Sequence, residues 1–377
     1  MRQRARSQEQ LKIVQMTTAN LSIKLPAGSQ AIIRPDERIL VTGAGGFIGT
    51  KVVKRLLEGG FHHVRCFSRS SNDLRKVAGQ KINGSESVEI VNGDLLSKDD
   101  CLRATKDVGV IYHLAAGRGA KSFPDAFLNS VVTTRNLLEA AGRHGCVKRI
   151  VNVSSLSVYS NVDKVGGRLL DESCPIETKP QRRADAYCFA KVKQDEIIAE
   201  YSKKLGIPHV IVRPGVVYGP GNQAIHGRVG IGTFGVFLHL GGGNSIPLTY
   251  VDNCAEAIVL AGLMPGVDGE VFNVVDDNPP SSRQFLRLYK KKVKHFRSLY
   301  VPHALSYVLC WGWEKYSAWS EEQLPATFNR AAWHGYWKKT RFSNEKAKRQ
   351  LGWAPRVAVM DGLERYFESC KQKLNHA

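Results

Sequence analysis

The sequence lacks several features that would assign it to a specialised class of protein. None of its eight cysteines forms a C-x-x-C pair; this argues against a zinc or disulfide framework and favours reduced thiols in a cytoplasmic setting. No zinc-finger, helix-turn-helix or aromatic–basic RNA motif is present, so we expect no specific nucleic-acid binding. Residues 1–35 have no continuous apolar stretch of the secretory type and are expected to form a basic, disordered extension.

Acidic residues are also scarce. The chain has 34 Asp and Glu against 54 Lys and Arg, which gives a net charge of +20. The imbalance is concentrated in residues 281–350, with 15 basic and 4 acidic side chains. Such a field attracts anions, including nucleotides and anionic lipid surfaces.

The most informative motif is Thr42-Gly-Ala-Gly-Gly-Phe-Ile-Gly49. It follows the apolar run 38–41 and opens an amphipathic run over 50–57, which is the order strand, glycine turn, helix. Glycines let the backbone turn tightly and approach a pyrophosphate, and the helix N-terminus favours its charge. The motif therefore predicts a dinucleotide site formed by Gly43, Gly45, Gly46, Phe47, Ile48 and Gly49.

Short β-rich runs alternate with helix-length segments after this motif. Strands are predicted at 38–42, 63–68, 88–91, 109–114, 148–154, 208–213 and 270–274, and helices at 49–58, 98–105, 125–143 and 185–205. This alternation predicts an α/β fold, a Rossmann-type doubly wound parallel sheet with a smaller C-terminal substrate-binding cap. The nucleotide domain is expected over 36–220 with 250–275 returning to it, and the cap over 221–249 and 276–377.

Two further motifs carry chemistry. Tyr187 and Lys191 are four residues apart, so on a helix they share one face. A nearby ammonium lowers the pKa of a phenol, and an oxidised nicotinamide would do the same, which lets Tyr187 exchange a proton with a substrate oxygen. The apolar run 151–153 is followed by Ser154 and Ser155, whose hydroxyls are expected at the carboxyl edge of the sheet, within reach of that oxygen.

Together these motifs resemble the extended short-chain dehydrogenase/reductase family, from about Arg38 to Glu368. Further matching segments are Gly93-Asp94-Leu95, His113-Leu-Ala-Ala116, Arg213-Pro214-Gly215, Tyr218-Gly-Pro-Gly221, Tyr250-Val-Asp252, Phe342-Ser-Asn344 and Leu351-Gly-Trp-Ala-Pro355. The resemblance implies that Tyr187 is the general acid/base, that Lys191 lowers its pKa and holds the nicotinamide ribose, and that Ser155 donates to the substrate oxygen.

The same resemblance implies contacts with the cofactor. It implies that Asp94 meets the adenine, with Leu95 beside it, and that Ala115, Ala116 and Pro214 line the cofactor. One departure concerns the element N-V-x-G-T-x-N, which here reads Ser130-Val-Val-Thr-Thr-Arg-Asn136. Asparagine is replaced by Ser130 at its first position, so no role is carried over to that residue.

The end of the second strand bears on the choice of cofactor. NAD enzymes place an acid about twenty residues after the glycines, but here Ser68 and Arg69 stand at that place. An arginine can bind the 2′-phosphate that a carboxylate would repel. NADP is therefore the predicted cofactor, with NAD as the alternative.

Within the family the pattern is most similar to 3β-hydroxysteroid dehydrogenases and dihydroflavonol reductases. That resemblance implies reversible oxidation of a secondary alcohol on a hydrophobic, sterol-like substrate. A nucleotide-sugar 4-epimerase remains the alternative, because the basic cap suits an anionic substrate. A non-catalytic nucleotide sensor is a third hypothesis. The family resemblance also implies a homodimer through helices 125–143 and 185–205.

Residues 299–319 are aromatic and apolar, and they follow the basic stretch 290–297. His303, Ser306 and Glu314 make this segment a poor membrane span. Two interpretations remain open: an interfacial helix that places 290–319 against a membrane, or a cap helix packed on the rest of the protein. The second is favoured.

Overall fold

A seven-stranded parallel sheet forms the centre of the protein. The computed structural model describes residues 23, 25–26, 29–70, 88–117, 122–160, 169–222, 225–233, 235–320 and 328–375. Across the sheet the strands are β12 (Val271–Val274), β7 (His209–Pro214), β5 (Arg149–Val153), β4 (Val108–His113), β1 (Arg38–Thr42), β2 (Val64–Ser68) and β3 (Val88–Asn92). All neighbouring pairs are parallel. The Rossmann-type prediction and its seven strands are confirmed.

Helices cover both faces of this sheet. They are α1 (Gly49–Glu58), α2 (Lys98–Thr105), α3 (Phe123–Phe127), α4 (Thr133–His144), α5 (Ala186–Leu205) and α6 (Val251–Leu263). Buried side chains of α1 and α6 pack in the core on one face, and those of α2, α4 and α5 pack in the core on the other. A π-helical segment, Leu128–Val132, interrupts the predicted helix over 125–143. Helix α6 was not predicted.

The remaining elements build the cap and its supports. The strands are β6 (Leu169–Leu170), β8 (Val216–Tyr218), β9 (Gly230–Thr233), β10 (Val236–His239), β11 (Leu248–Tyr250), β13 (Ser298–Tyr300) and β14 (Arg341–Phe342). The helices are α7 (Ser282–Lys292), α8 (His303–Trp319), α9 (Arg330–Tyr336), α10 (Glu345–Leu351) and α11 (Val359–Asn375). An aromatic cluster that includes Phe285, Tyr366 and Phe367 joins α7 to α11.

Two segments pack differently from the expectation. Residues 29–35 were expected in a disordered extension, yet Ile33 is buried in the main core and the Ile32 amide donates to the carbonyl of Leu263 at 3.0 Å. Residues 1–22 lie outside the described part of the chain. Residues 345–353, expected in the cap, place Leu351 and Trp353 in the main core beside α6. Both segments carry apolar side chains that cover the main core, and burying these side chains together with the core is favourable.

Candidate active site

The glycine turn lies where the order of the strands reverses, between β1 and β4. Gly43 has φ of +68°, and the Gly46 amide donates to its carbonyl at 3.0 Å. A methyl group on Gly49 would collide with that same carbonyl. Helix α1 then begins with no acidic residue in its first turn. Close backbone approach and an uncompensated helix N-terminus fit a dinucleotide pyrophosphate.

A cavity of about 870 Å³ extends from this turn toward the cap. Most residues predicted to bind the cofactor or to act in catalysis line it: Gly43, Gly46, Phe47, Ile48, Gly49, Arg69, Asp94, Leu95, Ala115, Ala116, Ser155, Tyr187, Lys191 and Pro214. Gly45 belongs to the same turn but is buried and does not line the cavity. One continuous space therefore joins the predicted nucleotide site to the predicted catalytic side chains.

The far end of the nucleotide site is formed after β2 and β3. Arg69 is exposed at the cavity, and its Nη1 donates to Oδ1 of Asn129 at 2.8 Å. Asn129 is a lining residue that the sequence did not reveal. The Asp94 carboxylate accepts the Leu96 amide at 2.9 Å, which shapes its own turn. Leu95 is held by Asn136, whose Nδ2 donates to the Leu95 carbonyl at 3.0 Å.

Ser130 also has a local role. Its hydroxyl accepts the Gly117 amide at 2.9 Å, which ties the loop after β4 to the π-helical segment. On the same side of the sheet, the Ala115 amide donates to the Thr42 hydroxyl at 3.3 Å. These bonds fix the loop 114–117 against the glycine turn, so the two walls of the nucleotide site keep their spacing.

Ser155 and Tyr187 meet at the carboxyl edge of the sheet. Ser155 follows β5 in an extended conformation, with φ of −161°. Tyr187 lies in the first turn of α5, where Asp185 caps the helix by accepting the Tyr187 and Cys188 amides. Burial raises the pKa of Tyr187, and a hydrogen bond with the Ser155 hydroxyl opposes that rise. A substrate oxygen in the cavity could thus contact both hydroxyls.

Lys191 corrects one expectation. The sequence predicts that its ammonium lowers the pKa of Tyr187, but the pKa of Tyr187 is raised. The main cause is the burial of the phenol, and the lysine side chain is in addition bonded to other groups. Its Nζ donates to the Val153 carbonyl at 2.7 Å and to Oε1 of Gln194 at 2.8 Å. Burial also lowers the pKa of Lys191 to about 8.

Gln194 joins Lys191 to a buried polar network. Its Nε2 donates to the Thr134 hydroxyl at 2.9 Å, and that hydroxyl is hydrogen-bonded to Nε2 of His113 at 2.8 Å. Nδ1 of His113 is in turn bonded to Thr42 at 2.8 Å, beside the glycine turn. Burial lowers the pKa of His113 to about 3, so the imidazole is neutral. This network holds Lys191 in position. In the sequence, only the motif His113-Leu-Ala-Ala116 indicated one of its members.

The cap end of the cavity is mainly apolar and aromatic. Its walls include Phe285, Tyr336, Tyr366, Val229, Ile246 and Leu248. The polar groups there include Asn222, His226 and Arg228. Burial lowers the pKa of His226 to about 3. A mostly apolar pocket with few polar groups is typical of a small-molecule site.

Helix α8 carries the apolar segment singled out in the sequence. It packs on α9 through Cys310, Trp333 and neighbouring side chains. Its outward face is nevertheless apolar, with large exposed side chains at Leu305, Val308, Leu309, Trp311, Tyr316 and Trp319. No helix in the described part of the chain is long and apolar enough to cross a membrane. The inner face of α8 packs on α9, as expected for a cap helix. The outer face has no partner among the described residues.

Comparison with known proteins agrees with this geometry. Residues 39–274 match the model of the NAD dependent epimerase/dehydratase family. The chain is 27% identical over 344 residues to the 2-alkyl-3-oxoalkanoate reductase of Stenotrophomonas maltophilia, covering 87% of this chain and 98% of the relative. It is 28% identical over 341 residues to a 3-beta-hydroxysteroid dehydrogenase of Mycolicibacterium neoaurum, covering 84% and 87%.

Solved structures share the fold. The UDP-glucuronic acid 4-epimerase of Bacillus cereus, in complex with UDP-glucuronic acid and NAD, superimposes with a TM-score of 0.67 at 22% identity. The match covers 89% of this chain and 99% of the epimerase.

Proposed function

The chain belongs to the NAD dependent epimerase/dehydratase family and is an NAD(P)-dependent oxidoreductase-type enzyme, and we propose that it interconverts a secondary alcohol and a ketone. The observation that carries the proposal is the contact between Ser155 and Tyr187, in one cavity with the glycine turn. Bound nicotinamide would supply hydride exchange at the substrate carbon.

The chain's own residues would handle the substrate oxygen. Oη of Tyr187 exchanges a proton with that oxygen, and the Ser155 hydroxyl donates a hydrogen bond to it. We infer that Lys191, held by Gln194 and the Val153 carbonyl, binds the nicotinamide ribose. A positive nicotinamide ring would favour the phenolate and so oppose the rise that burial causes in the pKa of Tyr187.

We propose NADP as the cofactor. Ser68, Arg69 and Ser70 line the cavity after β2 and present no carboxylate to the ribose. The Arg69 guanidinium holds the neutral Asn129 amide, which leaves its charge available for a 2′-phosphate. NAD is the alternative.

The substrate is proposed to be largely hydrophobic, because aromatic and aliphatic side chains form the cap end of the cavity. The relatives named a 3-beta-hydroxysteroid dehydrogenase and a 2-alkyl-3-oxoalkanoate reductase agree with this class. A nucleotide-sugar 4-epimerase is the second candidate, and the cationic Arg228 in the same wall favours it. A nucleotide sensor without turnover is the third.

Tyr187→Phe tests the catalytic proposal. The variant keeps the ring but removes the exchanging proton, so activity on a panel of hydrophobic ketones should fall by about 10²-fold or more. NADPH affinity should stay within about twofold, because the nucleotide site is unchanged. Unchanged turnover in the variant would refute the proposal and leave the sensor.

We also propose that the outward face of α8 rests on an anionic membrane surface. Trp319 is 77% exposed and Leu299 is 60% exposed, and exposed Lys291, Lys294 and Arg297 precede the helix. Apolar and aromatic side chains with basic neighbours suit a lipid headgroup region. The apolar and the basic side chains can both make this contact at the surface, without the helix crossing the bilayer.

Vesicle sedimentation tests this contact. The protein should sediment with vesicles of phosphatidylcholine and phosphatidylglycerol but weakly with phosphatidylcholine alone. The double change Val308→Ser with Trp319→Ser should reduce binding about tenfold, whereas Met360→Ser, an exposed residue on α11, should not. Equal binding by all three proteins, or none by the unaltered protein, would contradict it.

We propose a homodimer through the segment 125–143, which includes the π-helical segment and α4, and through α5. Phe127 and Leu128 are exposed, and Phe127 packs beside Phe189 of α5 at a centroid distance of 6.5 Å. Light scattering should give about twice the chain mass of 41.7 kDa, and Phe127→Lys should give the monomer. A monomeric unaltered protein would contradict this assembly.

A further inference from the structure

Arg228 is a buried cation in the wall of the cavity. The residue is only 8% exposed and lines the cap end of the cavity. Its guanidinium lies 5.5 Å from the ring centre of Tyr336 and 5.9 Å from that of Phe342. Flat aromatic faces hold a guanidinium in place while leaving its N–H edge free to bind. Arg228 is therefore oriented by packing.

No carboxylate in the described part of the chain pairs with this guanidinium. The acid next to Tyr336 is Asp185, and its two oxygens are already used. Oδ2 accepts the Tyr336 hydroxyl at 2.6 Å, and Oδ1 accepts the Tyr187 and Cys188 amides. The neighbouring charge is a second buried cation, Arg183, whose Nη1 donates to the Tyr159 carbonyl at 3.5 Å and to a second carbonyl, that of Ser157.

Burial without a counter-ion has a cost. Burial, with a contribution from Arg183, lowers the pKa of Arg228 to about 10, so the side chain stays charged at neutral pH. A buried charge is unfavourable unless it is paired and hydrogen-bonded. A planar guanidinium is satisfied best by an oxyanion that accepts two parallel hydrogen bonds. The cavity is the open side on which such a group can arrive.

The position of Arg228 places it near the reacting groups. Tyr336, against which it stacks, is bonded to Asp185 at the start of α5, and Tyr187 follows two residues later. The Arg228 guanidinium lies against Tyr336 and Phe342 and near the charge of Arg183. Its backbone amide donates to Nδ1 of His226 at 3.1 Å. None of these residues belongs to the glycine turn. An anion on Arg228 is thus part of the substrate rather than of the cofactor.

We propose that Arg228 binds an anionic group of the substrate, a carboxylate or a phosphate, while the apolar walls hold the remainder. This inference rests on the proposed function and narrows its substrate class. A neutral sterol would leave the guanidinium unpaired, whereas an amphiphilic oxo acid or a nucleoside diphosphate derivative would pair with it. The two anionic classes share the same contact at Arg228.

Ligand binding in the presence of saturating NADP⁺ tests the proposal. The probes are dodecanoate, the matched neutral dodecanol, and UDP, each titrated by calorimetry. The variants are Arg228→Met, Arg228→Lys and the control Arg283→Met, whose guanidinium stacks on Tyr300 outside the cavity. Arg228→Met should weaken binding of at least one anion tenfold or more, Arg228→Lys less, and Arg283→Met not at all.

Several readouts keep the outcome decisive. Dodecanoate as the affected anion indicates a carboxylate amphiphile, and UDP indicates a nucleoside diphosphate. NADPH affinity should be unchanged in every variant, which excludes a cofactor role. Equal weakening of dodecanoate and dodecanol, or no anion binding by the unaltered protein, would overturn the proposal. Anion binding that depends on Arg228 in a protein without turnover would refute the oxidoreductase while sustaining the anion site.

Discussion

Replacing Gln194 by Leu should change how Lys191 responds to pH. In the structure Oε1 of Gln194 accepts a hydrogen bond from the Lys191 ammonium at 2.8 Å, in a site where burial already lowers the pKa of that lysine to about 8. Leucine is close in volume but accepts no hydrogen bond. The charged amine therefore loses one of its two described partners, and the neutral amine loses less.

The size of the effect follows from the bond. A hydrogen bond to a charged group contributes about 1.5–3 kcal/mol, and one pH unit corresponds to about 1.4 kcal/mol. Deprotonation of Lys191 should thus move about one to two pH units toward acid. The ammonium that would bind the nicotinamide ribose would then be partly lost at pH 7, whereas it is mostly present in the unaltered protein.

NADPH titration by fluorescence from pH 6 to pH 9 measures this shift without knowledge of the substrate. The dissociation constant should rise above about pH 8 in the unaltered protein and at a pH lower by one to two units in Gln194→Leu. Gln194→Glu should move the rise toward alkaline pH, because a carboxylate stabilises the ammonium. Lys193→Met, an exposed neighbour on α5, is the control. A uniform loss of affinity with no shift along the pH axis would refute this role.

Three further changes test other parts of the structure. Gly49→Ala should weaken NADPH binding at least tenfold, because its methyl meets the Gly43 carbonyl, whereas Gly312→Ala in α8, where nothing lies within 4 Å, should stabilise the protein by up to about 1 kcal/mol. The imidazole of His113 has a pKa of about 3 in the folded protein and an ordinary pKa near 6.5 in the unfolded chain. Acid therefore lowers the free energy of unfolding by about 1.4 kcal/mol for each pH unit below 6.5, and His113→Gln should abolish this contribution. The same dependence of the free energy of urea unfolding on pH in both proteins, from pH 7 to 4.5, would contradict this. Glu256→Ala should lower the free energy of unfolding by about 3 kcal/mol, because it leaves the buried Arg55 and the exposed Arg356 without their shared carboxylate. The exposed Glu196→Ala should lower it by under about 1 kcal/mol. Similar urea midpoints for the two variants would contradict this.

The sheet could be predicted because parallel strands buried on both faces read as short Val- and Ile-rich runs. Six of the seven strands are of this kind; the edge strand β3 is partly exposed, yet its Val and Ile residues still indicated a strand. Helix α6 was missed for the same physical reason, since nearly all of its side chains are buried and no polar face marks a helical period. Ile33 was missed because its apolar run, Ala31 to Ile33, is too short to show a period.

The chemistry of the site was only partly visible in the sequence. Ser155, Tyr187 and Lys191 stand in local motifs, so their meeting at one cavity could be predicted. Gln194 and Thr134 are 60 positions apart and meet only in the fold. The raised pKa of Tyr187 depends on burial. That no described carboxylate pairs with Arg228 depends on where the acids lie in the fold. Neither quantity can be deduced from spacing along the chain.

A paired fluorescence titration with NADPH and NADH is the most direct test of the proposed NADP-linked oxidoreductase site at the glycine turn. NADPH should bind at least tenfold more tightly than NADH, a difference of about 1.4 kcal/mol, and Arg69→Ala should remove this preference without weakening the binding of NADH. Tight or co-purified NAD(H) that is indifferent to Arg69 would contradict it and would favour the epimerase, which recycles one bound nucleotide.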